Sequence, residues 1–579
     1  MKKITFKINN KKIICTPGTS IMEAAKENGI FIPSLCFHPD LPAKGNCRVC
    51  VVEIKGYKKL VASCSMKAQE GMEIKTNSPR VIKSRNMNLE LIFAEHVEKC
   101  PTCISRIDCQ LLKLAKRYKL KITEFPDRKK YRKTYKFANA VEIDGSQCID
   151  CGSCTQACEI LTGINYLKLK GKGSSQEIVP REKPDMLSGL AARKKGFACV
   201  YCGQCALHCP VGSAQEQVDI PVIEKMLKNK KSDEIYIAQI APSIRVSIGE
   251  EFGIEPGKIV TGQLIAALKK IGFDKVFDVN FGADITTLVE ADELIKRLKK
   301  KKSILPMMTS CCPAWVKYVE FYRPNLIPNL TTARSPQIHL AGIIKTYWAK
   351  KHNVNPKKIK IVAIMPCTAK KFESARKDLR VNGLHLVNNV LTTRELAYLV
   401  HINKINLAKI KPQKGDDLLS DHTGAAAIYG GTGGVMESAL RSAGYFLNPD
   451  KPKLGKIKFK DVRGLEGVKE ATVKIGNKTL QVAVINGLAN FNKIVDQLKK
   501  YHYIEVMACR GGCIGGGGQP IPTNDEIRKQ RIKALYSIDD KKKRRKAHQN
   551  KTALEIIEWL EKNDLDHKVF HTQYKEKFH

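Results

Sequence analysis

Apolar and polar residues alternate at the start of the chain. Ile4, Phe6 and Ile8 share one parity, Asn9–Asn10 interrupt, and Ile13–Ile14 follow. A period of two with a polar break predicts two strands joined by a tight turn. Ser20-x-x-Glu23 then forms a capping box, and Gly29 stops the helix it opens. Met87, Leu89, Leu91, Ile92 and Phe93 recur as an amphipathic helix would place them. From 221 to 530 the pattern changes: apolar β-type runs (IYIAQIAPS at 235–243, KIVAIMPC at 360–367, YIEVMAC at 503–509) alternate with helical stretches. This predicts an α/β domain of mostly parallel strands, whose sites form beyond the strands' carboxyl ends. A last helix is expected over TALEIIEWLEKN, 552–563. No apolar run approaches ~18 residues, so neither a spanning helix nor membrane insertion is expected.

The 579 residues suffice for several domains, and 43% hydrophobic content excludes wholesale disorder. The opening MKKITFKINNKK has no apolar h-region and no twin arginine, so a cytoplasmic location is expected. In a reducing cytosol the 21 cysteines are better read as metal ligands than as disulfides. The formal net charge is +43, and ligating thiolates would remove roughly ten units of it. Its lysines are spread along the chain, with short clusters at 296–302 and 541–546. A solvated lysine-rich surface that steers an acidic electron carrier fits this better than nucleic-acid binding.

The cysteines fall into groups. Cys36, Cys47, Cys50 and Cys64 follow the hairpin and helix, which together suggest a small α+β ferredoxin-type domain. A C-x2-C pair with a distant fourth cysteine suits a 2Fe–2S cluster, although the first gap of ten residues exceeds the plant-type spacing. On spacing alone, a four-cysteine zinc site is the rival. Next comes His96-x3-Cys100-x2-Cys103-x5-Cys109, three cysteines with no fourth nearby, so His96 is expected to complete a 4Fe–4S site. Residues 148–158 and 199–209 both read C-x2-C-x2-C-x3-C. In this two-cluster ferredoxin run the fourth cysteine serves the other cluster. Cys148, Cys151, Cys154 and Cys209 would hold one cubane, and Cys199, Cys202, Cys205 and Cys158 the second. Glu159 stands where proline is usual after the first run. Several clusters on one chain imply electron transport toward a site of chemistry. The remaining cysteines, 311, 312, 367, 509 and 513, sit where strand-like runs end, one more than a cubane needs. Cys15 belongs to no group and is expected to be a small buried apolar residue.

TSCCPAW (309–315), MPCTAKKFE (365–373) and EVMACRGGCIGGGGQP (505–520) resemble the signature segments of the iron-only, or FeFe, hydrogenases. The resemblance extends over nearly the whole chain, whose N-terminal cluster order is similar to that of the large clostridial-type members. It implies catalysis of 2H⁺ + 2e⁻ ⇌ H₂ at an H-cluster, a 4Fe–4S cubane joined by a cysteine sulfur to a two-iron subsite carrying CO, cyanide and a dithiolate. Carried over, Cys312, Cys367, Cys509 and Cys513 hold the cubane, with Cys513 bridging. Cys311 is the spare thiol that passes protons, and Lys370 donates to a cyanide. Pro242 and Ser243 line the subsite, with Met365 and Met507 as apolar walls. The glycine run 515–518 would let backbone approach the metal site. Glu290, Glu293 and Arg297 share one helix face at i, i+3 and i+7. The resemblance makes them a proton relay in the order Arg297 and Glu293, Thr331, Glu290, Cys311, with threonine where the family usually has serine.

The expected architecture is multidomain: α+β ferredoxin-like modules, then an α/β active-site domain with two mostly parallel sheets. The segments are 1–80 (2Fe–2S, β-grasp-like), 81–137 (4Fe–4S, one histidine and three cysteines), 138–220 (two 4Fe–4S), 221–530 (H-cluster) and 531–579. The last carries KKKRRK and HTQY (571–574) and resembles the family's C-terminal wrapping, small-subunit-like segment. GTGGVMESALR (431–441) lacks the G-x-G-x-x-G spacing, so the chain is not expected to bind NAD(P) itself. Electrons would come from ferredoxin or from NAD(P)H-oxidising partner subunits, and maturation proteins would load the H-cluster. Two other readings share parts of the pattern. The iron–sulfur subunit of an NADH dehydrogenase-type complex resembles the first two hundred residues but has no use for TSCCPAW. A hydrogenase-like sensor or assembly factor lacks the spare cysteine or carries sensory domains.

Overall fold

The computed structural model describes residues 3–107, 109–121, 125–182, 198–300, 302–416, 418–447, 457, 460–461 and 467–577. Strands Ile4–Ile8 and Lys11–Cys15 form the expected hairpin, turning through Asn9 and Asn10 at φ 48° and 65°. Two consecutive positive φ values make the turn that matches strand twist, and asparagine tolerates them better than most residues. The Ser20–Glu23 capping box opens helix Ile21–Glu27, and Gly29 has φ 73°. Val51–Ile54, Val61–Ala62 and Glu73–Lys75 complete a five-stranded sheet, with Glu73–Lys75 parallel to Ile4–Ile8. Cys15 is buried beside Phe6, Ile13 and Ile21, as a small apolar residue would be.

Helix Pro79–Ala94 buries Leu89 and Phe93, while Met87 is exposed. Its apolar face is narrower than expected because buried Arg85 shares it. Arg85 reaches back to the carbonyl oxygens of Val49 (3.1 Å), Val51 (3.3 Å) and Thr76 (3.0 Å), fastening the helix to the first sheet. Beyond it, strands Thr134–Phe137, Val141–Asp144 and Ala214–Glu216 form an antiparallel sheet. The two cysteine runs flank it and turn into short helices Ser153–Gln156 and Gln204–Leu207. Gly152 (φ 74°) and Gly203 (φ 70°) precede those helices in the left-handed region.

The next sheet is wholly parallel, in the order Lys275–Asp278, Ile235–Ile240, Ile359–Met365, Asn389–Thr392. The following one corrects the expectation of two mostly parallel sheets. Its order is Met307–Met308, Tyr503–Met507, Lys478–Asn486, Val468–Ile475, Lys460–Asp461. The first two pairings are parallel and the last two antiparallel. The cause is local: Val468–Ile475 alternates buried and exposed residues, and Ile475 pairs with Lys478 across Gly476–Asn477. A Gly-Asn pair between alternating runs is a hairpin signal.

The C-terminal helices Asp525–Lys541, Lys551–Lys562 and Asp566–Phe570 pack against helices of the catalytic domain. Arg531, fully buried, forks onto Glu250 at 2.7 and 2.6 Å. Asn550 donates to Asp284 at 2.9 Å, and the Thr572 amide donates to the Thr332 carbonyl at 2.9 Å. In the basic stretch, Arg544 pairs with Asp421 and Arg545 with Asp539. Among the described residues no helix is long and apolar enough to cross a membrane. Arg531→Met would leave Glu250 buried without its cation. A loss of about 3–5 kcal/mol is expected from such a break, read as a lower unfolding midpoint of the holoprotein with unchanged cluster spectra.

Candidate active site

Four strands point their carboxyl ends into one cavity. Ile235–Ile240 runs into Pro242–Ser243, Ile359–Met365 into Cys367, and Tyr503–Met507 into Cys509 and Cys513. Met307–Met308 runs into Cys311 and Cys312, and Cys312 caps helix Pro313–Tyr322. All five cysteines line the cavity, together with Pro242, Ser243, Met365, Lys370 and Met507. Burial pushes the Cys367 and Cys513 thiols up to about 12, and neighbouring cysteines push in the same direction. Sulfurs crowded in a dry pocket pay heavily to ionise alone, and a cationic iron–sulfur core relieves that cost. The donor set therefore fits a cubane.

Lys370, on helix Ala369–Ala375, donates to Glu373 Oε2 (2.8 Å) and to the Cys311 carbonyl (3.1 Å). Glu373 Oε2 also accepts from Ser335 (2.8 Å) and Gln337 (2.7 Å). Glu373, together with the cavity residues Gln337 and Tyr429, was not singled out by sequence. Gln337 and Tyr429 sit outside the three cysteine motifs, and only the tertiary fold brings them in. The glycine run does more than expected. A Cβ on Gly516 would meet the Pro366 carbonyl oxygen at 2.2 Å, and one on Gly517 the Cys202 carbonyl oxygen at 2.4 Å. The run packs against the Cys367 loop and against the second ferredoxin run.

The relay helix, Val279–Lys299, carries Glu290, Glu293 and Arg297. Arg297 donates to Glu293 Oε1 from Nε (3.0 Å) and Nη2 (2.6 Å). Glu293 Oε2 accepts from the hydroxyls of Thr331 (2.7 Å) and Thr332 (2.9 Å). Thr332 in turn meets His571 Nδ1 at 2.8 Å, which brings the HTQY segment to the relay. The expected order breaks at one point. Glu290 takes its hydrogen bond from the Tyr503 hydroxyl (2.8 Å), while its Oε2 is buried with no partner. Thr331 thus bonds Glu293 and leaves the step to Glu290 open. Burial pushes the Glu290 carboxyl up to about 8 against the pull of the Tyr503 bond, and the charges of Glu293 and Glu505 push it further up.

The remaining cysteines gather as their spacing suggests. Cys36 is drawn down by hydrogen bonds from Cys47 and Cys64, while Cys64 is pushed up by Cys36 and Cys50. His96, Cys100, Cys103 and Cys109 line a second cavity, and buried His96 Nε2 has no partner. An orphaned imidazole nitrogen among three thiols fits a fourth ligand. Cys199 and Cys205 feel the charge of Cys158, while Cys151 and Cys154 feel that of Cys209. Cys158 thus sits with the thiols of the second run, and Cys209 with those of the first. The modules also abut one another. Asn46 donates to the Cys151 carbonyl (3.1 Å), and a Cβ on Gly212 would lie 2.6 Å from Cys103 Sγ.

Residues 234–517 match the family described as iron only hydrogenase large subunit, C-terminal domain. The chain is 38% identical to the NADP-reducing hydrogenase subunit HndD of Solidesulfovibrio fructosivorans, over 99% of both chains. It is 37% identical to Iron hydrogenase 1 of Clostridium pasteurianum, over 99% of this chain and 100% of that one. The chain belongs to the FeFe hydrogenase family. It is an H₂-converting enzyme with accessory iron–sulfur clusters. A solved variant of the [FeFe]-hydrogenase HydA1 from Chlamydomonas reinhardtii is similar at TM-score 0.56 and 35% identity, covering 62% of this chain and 99% of that one. Further matches are a 2Fe-2S iron-sulfur cluster binding domain (1–79), an NADH-ubiquinone oxidoreductase-G iron-sulfur binding region (85–123), a 4Fe-4S dicluster domain (144–213) and an iron hydrogenase small subunit (525–577).

Two predictions follow from the hydrogenase site. Unfolded, the Glu290 carboxyl ionises near its ordinary 4.5; folded, it holds its proton to about 8. The folded form binds more protons, so this group lowers stability as pH rises from 4.5 toward 8. Glu290→Gln removes that slope, and the stability gap between variant and wild type should widen across the window in pH-dependent unfolding. Gly517→Ala should slow ferredoxin-driven H₂ evolution severalfold while sparing H/D exchange, which needs no net electron supply.

Proposed function

We propose that the cavity houses an H-cluster, whose cubane Cys312, Cys367, Cys509 and Cys513 would hold, with Cys513 as the ligand it would share with the two-iron subsite. When bound, this group supplies the redox and hydride chemistry of 2H⁺ + 2e⁻ ⇌ H₂. The chain's own part is to hold it, keep water out and move protons. Met365, Met507 and Pro242 supply apolar walls, and Ser243 a hydroxyl. Lys370, steadied by Glu373, presents an ammonium to a ligand cyanide. Cys311 passes a proton between the cavity and Glu290. Glu293, Arg297 and Thr331 carry it toward solvent. The fifth cysteine carries this reading: four thiolates complete a cubane, and a non-ligating thiol can give and take a proton as they cannot.

Cys36, Cys47, Cys50 and Cys64 would hold one 2Fe–2S cluster, which with three accessory 4Fe–4S clusters would supply the electron path to the cavity. One of the three would be held by His96, Cys100, Cys103 and Cys109, one by Cys148, Cys151, Cys154 and Cys209, and one by Cys158, Cys199, Cys202 and Cys205. The likeness to a subunit named NADP-reducing, together with the missing dinucleotide fingerprint, favours an NAD(P)-linked partner subunit as the donor or acceptor. Ferredoxin is the other source that the experiment separates. We place the enzyme in the cytoplasm of an anaerobically growing cell, where thiols stay reduced, with maturation proteins loading the H-cluster.

Anaerobic purification after co-expression with maturation proteins, followed by H₂ assays with reduced ferredoxin and with NAD(P)H plus partner subunits, tests the reading. Infrared CO and cyanide bands with no H₂ chemistry from any donor would sink it. Cys311→Ala and Glu290→Gln should each lower H₂ turnover about 10²-fold or more, the range for loss of a positioned acid–base group, with the infrared bands retained.

A further inference from the structure

Helix Pro313–Tyr322 begins at Cys312 and ends against the second ferredoxin run. The Tyr322 hydroxyl donates to the Ala198 carbonyl at 2.6 Å and accepts from the Ala198 amide at 3.0 Å, one residue before Cys199. Between these two ends sits Lys317, only 8% exposed. Its Nζ lies 4.8 Å from the ring centroid of Tyr201, 5.3 Å from that of Phe372 and 5.5 Å from that of Phe321. Three ring faces form a cage that suits a cation.

The anions around the cage are unequally available. Glu320, one turn on, is held on both oxygens by Arg376, at 2.8 and 2.7 Å. Among the described residues Lys317 has no carboxylate ion pair of its own. Burial pulls its pKa down, and the strongest opposing influence is the negative charge on Cys199, ahead of Glu320. Tyr201, one wall of the cage, donates its amide to Cys199 Sγ at 3.3 Å.

We propose that Lys317 is a fixed positive charge that raises the reduction potential of the cluster held by Cys158, Cys199, Cys202 and Cys205, the last one before the active cubane. The inference rests on the reading of those four residues as cluster ligands. Adding an electron makes a thiolate-bound cluster more negative, and a desolvated ammonium beside it favours that reduced form. The cage holds the ammonium without neutralising it, which a carboxylate partner would do. Lys317 touches neither substrate nor reacting atoms, so its effect is on the electron supply.

The test is a redox titration of the holoenzyme followed by electron paramagnetic resonance. In Lys317→Met, one 4Fe–4S signal should move to lower potential by about tenfold in its reduction equilibrium, ~59 mV for one electron, with the other clusters in place. Lys317→Gln should shift the same signal in the same direction, and Lys317→Arg should hold it near the wild-type value. An unchanged potential in the Met and Gln variants would overturn the proposal. So would an Arg variant that shifts as far as Met, since packing and not charge would then be responsible. Failure of the underlying reading looks different: wild-type holoenzyme would lack the paired 4Fe–4S signals of the dicluster module.

Discussion

The backbone at Cys202–Gly203 lies so close to Gly517 that neither glycine could carry a methyl group without the two segments moving apart. A Cβ on Gly203 would meet the Thr368 hydroxyl oxygen at 2.4 Å and the Gly517 Cα at 3.0 Å. Around this contact, Thr368 donates to the Tyr201 carbonyl (2.7 Å) and Gln204 donates to the Gly515 carbonyl (3.0 Å). Across the contact, the charge of Cys509 acts directly on Cys202. Electron tunnelling falls steeply with distance, so an enzyme fed by a cluster chain stands or fails on its shortest permissible gap at the last step. Here that gap is set by two glycines and a seam of side-chain-to-backbone hydrogen bonds. The seam also fixes how the ferredoxin modules sit on the catalytic sheets.

Upstream, the path is less linear than a list of clusters suggests. The loop bearing Asn46 bonds the Cys151 carbonyl, and Gly212 packs on Cys103. The loop before Cys47 and the segment around Cys103 therefore both abut the two cysteine runs. Arg528, on the C-terminal helix, grips both oxygens of Asp40 at 2.7 and 2.6 Å. This one ion pair ties the first module to the segment that wraps the catalytic domain.

Metal chemistry was the part most legible in the sequence. A ligand set needs particular residue types at spacings that short loops can close, and both conditions leave a local imprint. The exchange of Cys158 and Cys209, the five converging loop cysteines and the helix face of Glu290, Glu293 and Arg297 were all readable for that reason. The Asn9–Asn10 turn and the Ser20 cap were readable because their chemistry is confined to a few residues. What escaped was long-range. Tyr503 lies 213 positions from Glu290, and His571 reaches the relay through Thr332 from 239 positions away. No spacing rule encodes such pairs. The antiparallel half of the second catalytic sheet had a local signal at Gly476–Asn477. It was overshadowed because the cysteine-ending strands around it are parallel.

Glu290 and Glu293 share a helix face but not a set of partners. Glu293 is held by Arg297 and two threonine hydroxyls. Glu290, one helical turn away, is dry, with one oxygen on Tyr503 and the other free, an environment that favours the proton-bearing form. The sequence placed the two glutamates on one face, but only Tyr503 and the threonines make them unequal. That difference separates a dry carboxyl from a bonded one on a face the sequence shows only as charged.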